Sequence, residues 1–265
     1  MNSLRHRTLR GVRFSNRSAG AFSLIELLSV VALCAVLAAL IIPSAQKALR
    51  MADNGKCISN LRQIGAGLHA YMADFNGEYP PNRYNDRYTE ETGRSPFPSE
   101  VLNGTVPSNG TAYVPFAGLG SANLRTRKDA GPWFCPRDTE RPVSLSASSY
   151  GYNIYLGRDD RTNGSAGIWQ PWWSKPAGHE RSSRLVYLID HNLLRDPLST
   201  AGVFSEKSWP IAAGAKPGPK SGESIVDFDR HSSHANALLV DGSVRRLTVL
   251  DLTGTAGRKL VDPTR

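Results

Sequence analysis

The chain has 265 residues, 40% of them hydrophobic, with 24 glycines and 17 prolines. That is enough for one sizeable domain or two small ones, and the apolar content excludes a disordered chain. The formal net charge of +9 does not describe a nucleic-acid surface. Arg5, Arg7, Arg10, Arg13 and Arg17 supply +5 within the first 21 residues, and the +4 that remains is mixed with acids and forms no Lys/Arg run that would track phosphates.

Residues 1–21 form a basic leader with no hydrophobic period, which the positive-inside bias keeps in the cytoplasm. Phe22 to Ile42 is an almost wholly apolar run of 21 residues with one carboxylate, Glu26. As a helix it reaches about 31 Å, enough for a bilayer core of about 30 Å. A cleaved secretory signal is the rival reading. Against it stand an apolar core longer than the usual span of about 7–15 residues, the Glu near its start, and the small residues Ser18, Ala19, Gly20 and Ala21 before it. A signal-peptidase site after Ala45 would also put Pro43 at a specificity position.

Glu26 needs a partner or a use, because a carboxylate in a membrane span costs about 2–3 kcal/mol even on lenient insertion scales. Either it reaches the interface at little cost, or it meets a positive charge in an assembled state. A cut after Ala21 would give Phe22 a new α-amino group four residues before Glu26, on the same helix face. Between axially staggered copies, the amine of one chain meets the carboxylate of another.

Gly20-Ala21-Phe22-Ser23-Leu24-Ile25-Glu26-Leu27-Leu28 resembles the processing site of type IV prepilins and type II secretion pseudopilins. The resemblance implies cleavage of the Ala21–Phe22 bond by a membrane aspartyl prepilin peptidase, which also N-methylates Phe22. Glu26 then falls fifth in the mature chain and Pro43 at mature position 22, where many pilins carry a proline that kinks or locally melts the helix. Ala21 replaces the more usual Gly before the cut, and a cut after Gly20 would lose the register of Glu26.

Beyond Pro43, Ile58, Leu61, Ile64, Leu68, Tyr71 or Met72, and Phe75 recur at three- and four-residue steps, predicting an amphipathic helix with Asn60, Arg62, Gln63 and His69 between them. Asn54-Gly55 weakens it, and Gly65 and Gly67 let a sheet approach closely. Cys57 to Gly65 resembles the second half of the long helix in a pilin subgroup. Asn76-Gly77 and Pro80-Pro81 end the helix. Residues 82–126 read as a long surface excursion with short strands or turns such as Ala112 to Phe116. Tyr150 to Leu156 alternates as a half-buried strand, Leu185 to Ile189 is a buried strand, and Ile225 to Phe228 is a candidate strand. Trp169, Trp172 and Trp173 read as a packed loop in preference to a carbohydrate platform. Of the three cysteines, Cys34 lies in the apolar run, and spacing leaves open whether Cys57 and Cys135 pair.

Asn236 to Val240 and Ser243 to Leu250 flank Asp241-Gly242, which predicts a type I′ hairpin with positive φ at both turn residues. His231 precedes Asp241 by ten positions, which resembles the His-x9-Asp-Gly region of one large prepilin-like subfamily. The expected role is structural, with His231 hydrogen-bonded to the returning loop. Asp190, His231 and Asp241, with His191 and His234 nearby in sequence, are the candidate metal ligands, although their spacing matches no metal signature. No cofactor is expected, a structural Ca²⁺ on Asp or Asn oxygens being the ion left open. No nucleophile triad, phosphate-cradling loop or CxxC pair occurs, so the chain does not read as an enzyme.

Together these readings predict an α+β, pilin-like chain: leader 1–21, membrane-spanning and filament-core helix 22–43, amphipathic helix 44–75, and a β-rich periplasmic head 76–265 with an antiparallel sheet and C-terminal hairpin. The implied protein is a subunit of a type IV pilus or secretion pseudopilus, held in the inner membrane before filament assembly. Its implied partners are the prepilin peptidase/N-methyltransferase, other pilin or pseudopilin subunits and an inner-membrane assembly platform. Nucleic acid is not among them. The alternative is a membrane-anchored periplasmic binding or metal-dependent hydrolytic domain.

Overall fold

The structure, a computed structural model, describes residues 23–82, 93, 98–104, 111, 113–114, 131–138, 148–153, 155–157, 184–191, 203–204 and 226–261. The chain divides into two units, Met1–Ala48 and Leu49–Arg265. Helix α1 (Leu24–Asp74) begins in the first and ends in the second. It is long and apolar enough to cross a membrane. In the first unit every described side chain is exposed, including twelve large apolar ones between Leu24 and Ile42 that are at least half exposed. The helix runs through Pro43, which removes one backbone donor without ending it. Ser44 Oγ donates to the Ile41 carbonyl at 2.7 Å just beyond.

In the second unit the amphipathic stripe is present. Cys57, Leu61, Ile64, Leu68, Tyr71 and Met72 are buried, and Arg62, Gln63 and His69 face outward. Asn60 departs from the expected outer face: it is buried, and its Nδ2 donates to the Phe134 carbonyl at 2.8 Å. The helix stops where Asn76 and Gly77 take φ of 53° and 78° and the Gly77 N–H bonds the Met72 carbonyl at 2.7 Å, a Schellman-type closure.

Five strands follow among the described residues: β1 (Tyr150–Asn153), β2 (Val186–Asp190), β3 (Val203–Phe204), β4 (Ala235–Leu239) and β5 (Val244–Leu247). Their order is β3-β1-β2-β4-β5, antiparallel except for the short parallel β1–β3 pairing. The layout is α+β and pilin-like. One sheet face, with Tyr150, Tyr152, Leu188 and Leu238, packs on the second half of α1. The other, with Val186, Ile189, Ala237 and Leu239, is covered by α3 (Gly254–Val261) and the 3₁₀ turn Leu250–Leu252 before it. Between Val186 and Leu188 the β2–β4 register slips, so Tyr187 is an extra residue. This bulge explains why consecutive Tyr187 and Leu188 both join the α1-side core.

Several expectations change. Covered on both faces and flanked by β2 and β3, β1 is buried at all four positions and ends at Asn153, so it is not a half-buried strand reaching Leu156. Val226 makes only an isolated bridge to His191, not a strand. A short helix, α2 (Pro98–Leu102), and α3 were not anticipated. Within Ala112–Phe116 only Tyr113 and Val114 are described, and they are bends, not strand. The tryptophans 169, 172 and 173 lie outside the described residues.

Gly65 does admit the sheet, since a Cβ there would stand 2.9 Å from Leu238 Cδ1. Gly67 instead admits the Tyr113–Val114 segment: its Cβ would overlap Val114 Cγ2 and lie 2.8 Å from the Tyr113 carbonyl oxygen. Around Gly55 a Cβ meets nothing within 4 Å. Gly55→Ala should therefore stabilise the protein by about 0.5–1 kcal/mol through helix propensity. Gly67→Ala should destabilise it by about 1–3 kcal/mol through overpacking against backbone. Denaturant midpoints of the full-length protein in detergent check both, and equal shifts of the same sign would contradict the packing assigned here.

Candidate functional site

Of the processing residues, Gly20, Ala21 and Phe22 lie outside the described residues. Ser23 and Glu26 open α1 with a reciprocal pair: the Ser23 N–H donates to Glu26 Oε2 at 2.9 Å, and the Glu26 N–H approaches Ser23 Oγ at 3.4 Å. This is a capping box, and the Ser-x-x-Glu spacing was its signal in the sequence. Glu26 thus has a local partner in addition to any partner on another chain.

The second site is a buried polar cluster at one end of the sheet. Cys57 on α1 is joined to Cys135 by a disulfide, with Cα atoms 5.0 Å apart, which answers the question the spacing left open. His231 Nε2 lies 3.3 Å from Cys135 Sγ and 3.5 Å from Asp190 Oδ2, at the end of β2. Beside it, Arg230 is the centre of the cluster. Its Nη1 donates to the Ser149 carbonyl at 2.9 Å and to Asp190 Oδ1 at 3.3 Å. Its Nη2 donates to the His191 carbonyl at 2.7 Å and faces Asp227 Oδ2 at 3.0 Å and Asp138 Oδ2 at 3.4 Å. Asp190 Oδ2 also accepts the Asn236 N–H at 2.6 Å, and Asp138 accepts Ser149 Oγ at 2.6 Å.

His231 therefore does not bond the returning hairpin loop. It precedes β4, whereas Asp241 and Gly242 follow it, and the strand holds them apart. Of the candidate ligands, Asp190 and His231 come together and Asp241 does not. Asp241 Oδ1 accepts the Ser243 N–H at 2.8 Å instead. His191 is buried and bridged to Val226, and His234 is half-buried, with Nδ1 3.0 Å from the Ser232 carbonyl. Nor is the turn type I′. The Leu239 N–H bonds the Ser243 carbonyl and the Gly242 N–H bonds the Leu239 carbonyl, so Val240, Asp241 and Gly242 form a three-residue connection. Only Gly242 has positive φ, at 82°. The reason is that the Val240 N–H is still paired to the Leu185 carbonyl at 2.9 Å, which extends the β2 ladder into the turn. At this end Gly242 faces His69 of α1, whose Nε2 lies 2.9 Å from the Val240 carbonyl oxygen.

A family model described as a protein of unknown function, DUF1559 (SBP_bac_10), matches residues 47–186, more than half of the chain. The chain belongs to the DUF1559 family. No curated protein and no solved structure matches it. The matched segment carries Cys57, Cys135, Asp138 and Ser149 but stops before Asp190, Arg230 and His231.

In this DUF1559 chain, burial shapes the electrostatics. Asp190 is pushed up to about 7 by desolvation, against the lowering effects of Arg230 and the Asn236 N–H. His231 is pushed down to about 3 by desolvation and then by Arg230, so it is a neutral imidazole at neutral pH. Arg230 was not singled out from the sequence, because a lone Arg beside a His-x-x-His loop has the pattern of a solvated turn.

The two shifts act on stability in opposite directions. Asp190 binds its proton more tightly folded than unfolded, so its contribution is full below 3.8 and is lost as pH rises through about 7. His231 resists protonation when folded, so its contribution is present above 6.5 and is lost as pH falls towards about 3. Between 3.8 and 6.5 they oppose each other. Asp190→Asn should unmask the histidine, giving stability that rises with pH across that window by up to about 1.4 kcal/mol per unit. His231→Ala should give the opposite slope. Denaturant unfolding at several pH values reads both, and identical slopes in the two variants would contradict this assignment.

Proposed function

We infer that the chain is a pilin-like structural subunit, of a type IV pilus or a type II secretion pseudopilus, with an assembly role and not an enzymatic one. The observation that carries this reading is the first half of α1: an apolar helix with no core of its own to enter and a single carboxylate at its start. Such a helix requires another apolar environment, first a bilayer and then copies of itself. The arginine-rich leader favours a cytoplasmic N-terminus and a periplasmic head. A prepilin peptidase would cut at Ala21–Phe22 and methylate the new amine, and an inner-membrane platform would pass subunits into the filament.

The capping box adds a detail to this assembly. Glu26 holds the Ser23 N–H with Oε2, leaving Oε1 for the Phe22 amine of a neighbouring subunit. Helix start and intersubunit pairing then share one carboxylate. Glu26→Gln keeps an acceptor for the cap but removes the charge, whereas Ser23→Ala keeps the charge and weakens the cap. Glu26→Gln should abolish or strongly reduce incorporation into filaments while leaving the membrane-inserted precursor at normal levels, and Ser23→Ala should have the smaller effect. Normal incorporation of Glu26→Gln would remove the charge-pairing role. Mass spectrometry of the mature protein should find Phe22, N-methylated, at its start. A chain beginning at Gln46 would instead mark a secreted protein.

A further inference from the structure

We propose that the Cys57–Cys135–His231 cluster is a site for a borderline-soft divalent cation, with Zn²⁺ the natural occupant, whenever the two cysteines are reduced, so that metal and disulfide are alternative states of one site. The three donor atoms already converge, all within 4.8 Å of one another, and all three residues are buried. His231 Nε2 is 3.3 Å from Cys135 Sγ, and Asp190 Oδ2 faces the same nitrogen at 3.5 Å. In a tetrahedral centre with metal–sulfur bonds of about 2.3 Å, the sulfurs stand roughly 3.8 Å apart. Breaking the disulfide therefore requires a local separation of the two sulfurs, with the imidazole already at ligand range.

A second observation points the same way. His231 is 2% exposed, and its Nδ1 has no partner among the described residues. Its Nε2 faces a disulfide sulfur, a poor hydrogen-bond acceptor, at 3.3 Å and the Asp190 carboxylate at a long 3.5 Å. A buried imidazole satisfied this poorly is uncommon. Two thiolates and a neutral imidazole form a donor set that selects Zn²⁺ over Ca²⁺ or Mg²⁺. Two thiolates also neutralise the dication, so burial of the centre leaves no excess charge.

The redox step balances with a dithiol or a phosphine and water as reductant. Two electrons and two protons convert the Cys57–Cys135 disulfide to two thiols, while the dithiol becomes a disulfide or the phosphine its oxide. Metal entry then releases the two thiol protons. Ser232 and Ser233, which follow His231, take φ of 59° and 68°, a left-handed conformation uncommon for serine.

The test uses the full-length protein in detergent, reduced with a phosphine and titrated with Co²⁺ or Zn²⁺. Expected are a thiolate-to-cobalt charge-transfer band with the visible bands of a tetrahedral site, one ion per chain, and a Zn²⁺-dependent rise in the unfolding temperature. The oxidised protein should show none of these. His231→Ala should weaken Co²⁺ binding by more than the about 10–100-fold that loss of an outer-sphere partner costs. If that variant fails to fold, the wild type alone still decides: a reduced protein with neither a cobalt band nor a Zn²⁺-dependent temperature rise overturns the proposal. Equal metal uptake by reduced and oxidised wild-type protein would overturn it as well.

Discussion

The buried guanidinium of Arg230 is the interaction on which the second unit depends. It adds side-chain links among segments that meet at one end of the sheet: the Ser149 carbonyl ahead of β1, Asp190 and the His191 carbonyl at the end of β2, Asp138 in the turn after Cys135, and Asp227 in its own turn. Three carboxylates share one cation in a largely buried site. Removing a partner from such an arrangement costs about 3–5 kcal/mol, because the charges left behind stay buried. A lysine would not replace it, since a single ammonium lacks the planar fork that reaches two carbonyls and three carboxylates at once. Asp190 has its raised proton affinity because burial desolvates its carboxylate, and the attraction of Arg230 and the Asn236 N–H only partly offsets this.

The disulfide and β4 carry this constraint into the rest of the fold. Cys57–Cys135 closes a sequence separation of 78 residues and ties α1 to the Trp133–Asp138 segment. In the chain-entropy account a loop of that size contributes about 4.5 kcal/mol. β4 lies between His231, at the disulfide, and Gly242, which faces His69 of α1. Five strand residues at about 3.3–3.4 Å each span the distance between those two contacts with α1. The nine-residue spacing between His231 and Asp241 is therefore a strand length plus its two flanking turns. One residue more or fewer would rotate Leu238 off the α1 face.

Much of this frame was legible. The three- and four-residue steps from Ile58 to Phe75 located the buried stripe of α1, and the run Leu185 to Ile189 located β2. The Asp-Gly dipeptide located the hairpin, but its turn type was hidden, because the pairing of Val240 to Leu185 is a tertiary fact that overrides the two-residue preference. The Tyr187 bulge was hidden for the same reason. Continuous apolar runs do not reveal which neighbours share a face. Arg230 and its carboxylates lie up to 92 positions apart, and isolated charges in loops read as solvated until the fold encloses them. The capping box at Ser23 and Glu26 was different: its spacing was plain, and the membrane context drew attention from the local partner to a distant one.

On the proposed reading the two units face different solvents, and this determines what can specify assembly. Twelve large apolar side chains between Leu24 and Ile42 are at least half exposed, each representing about 1.5–3 kcal/mol if moved out of water. That total far exceeds what a few polar contacts between heads would supply, so the helix remains in an apolar environment throughout the proposed pathway. Transfer from lipid to a bundle of similar helices is nearly neutral for those side chains, because acyl tails are as apolar as leucine. The apolar surface accordingly gives affinity for both environments and selects neither. In the proposed assembly, selection falls to the one group that lipid disfavours and a neighbouring amine would satisfy. Glu26 caps its own helix with one oxygen, and among the described residues the other has no hydrogen-bond partner that would compete for that role.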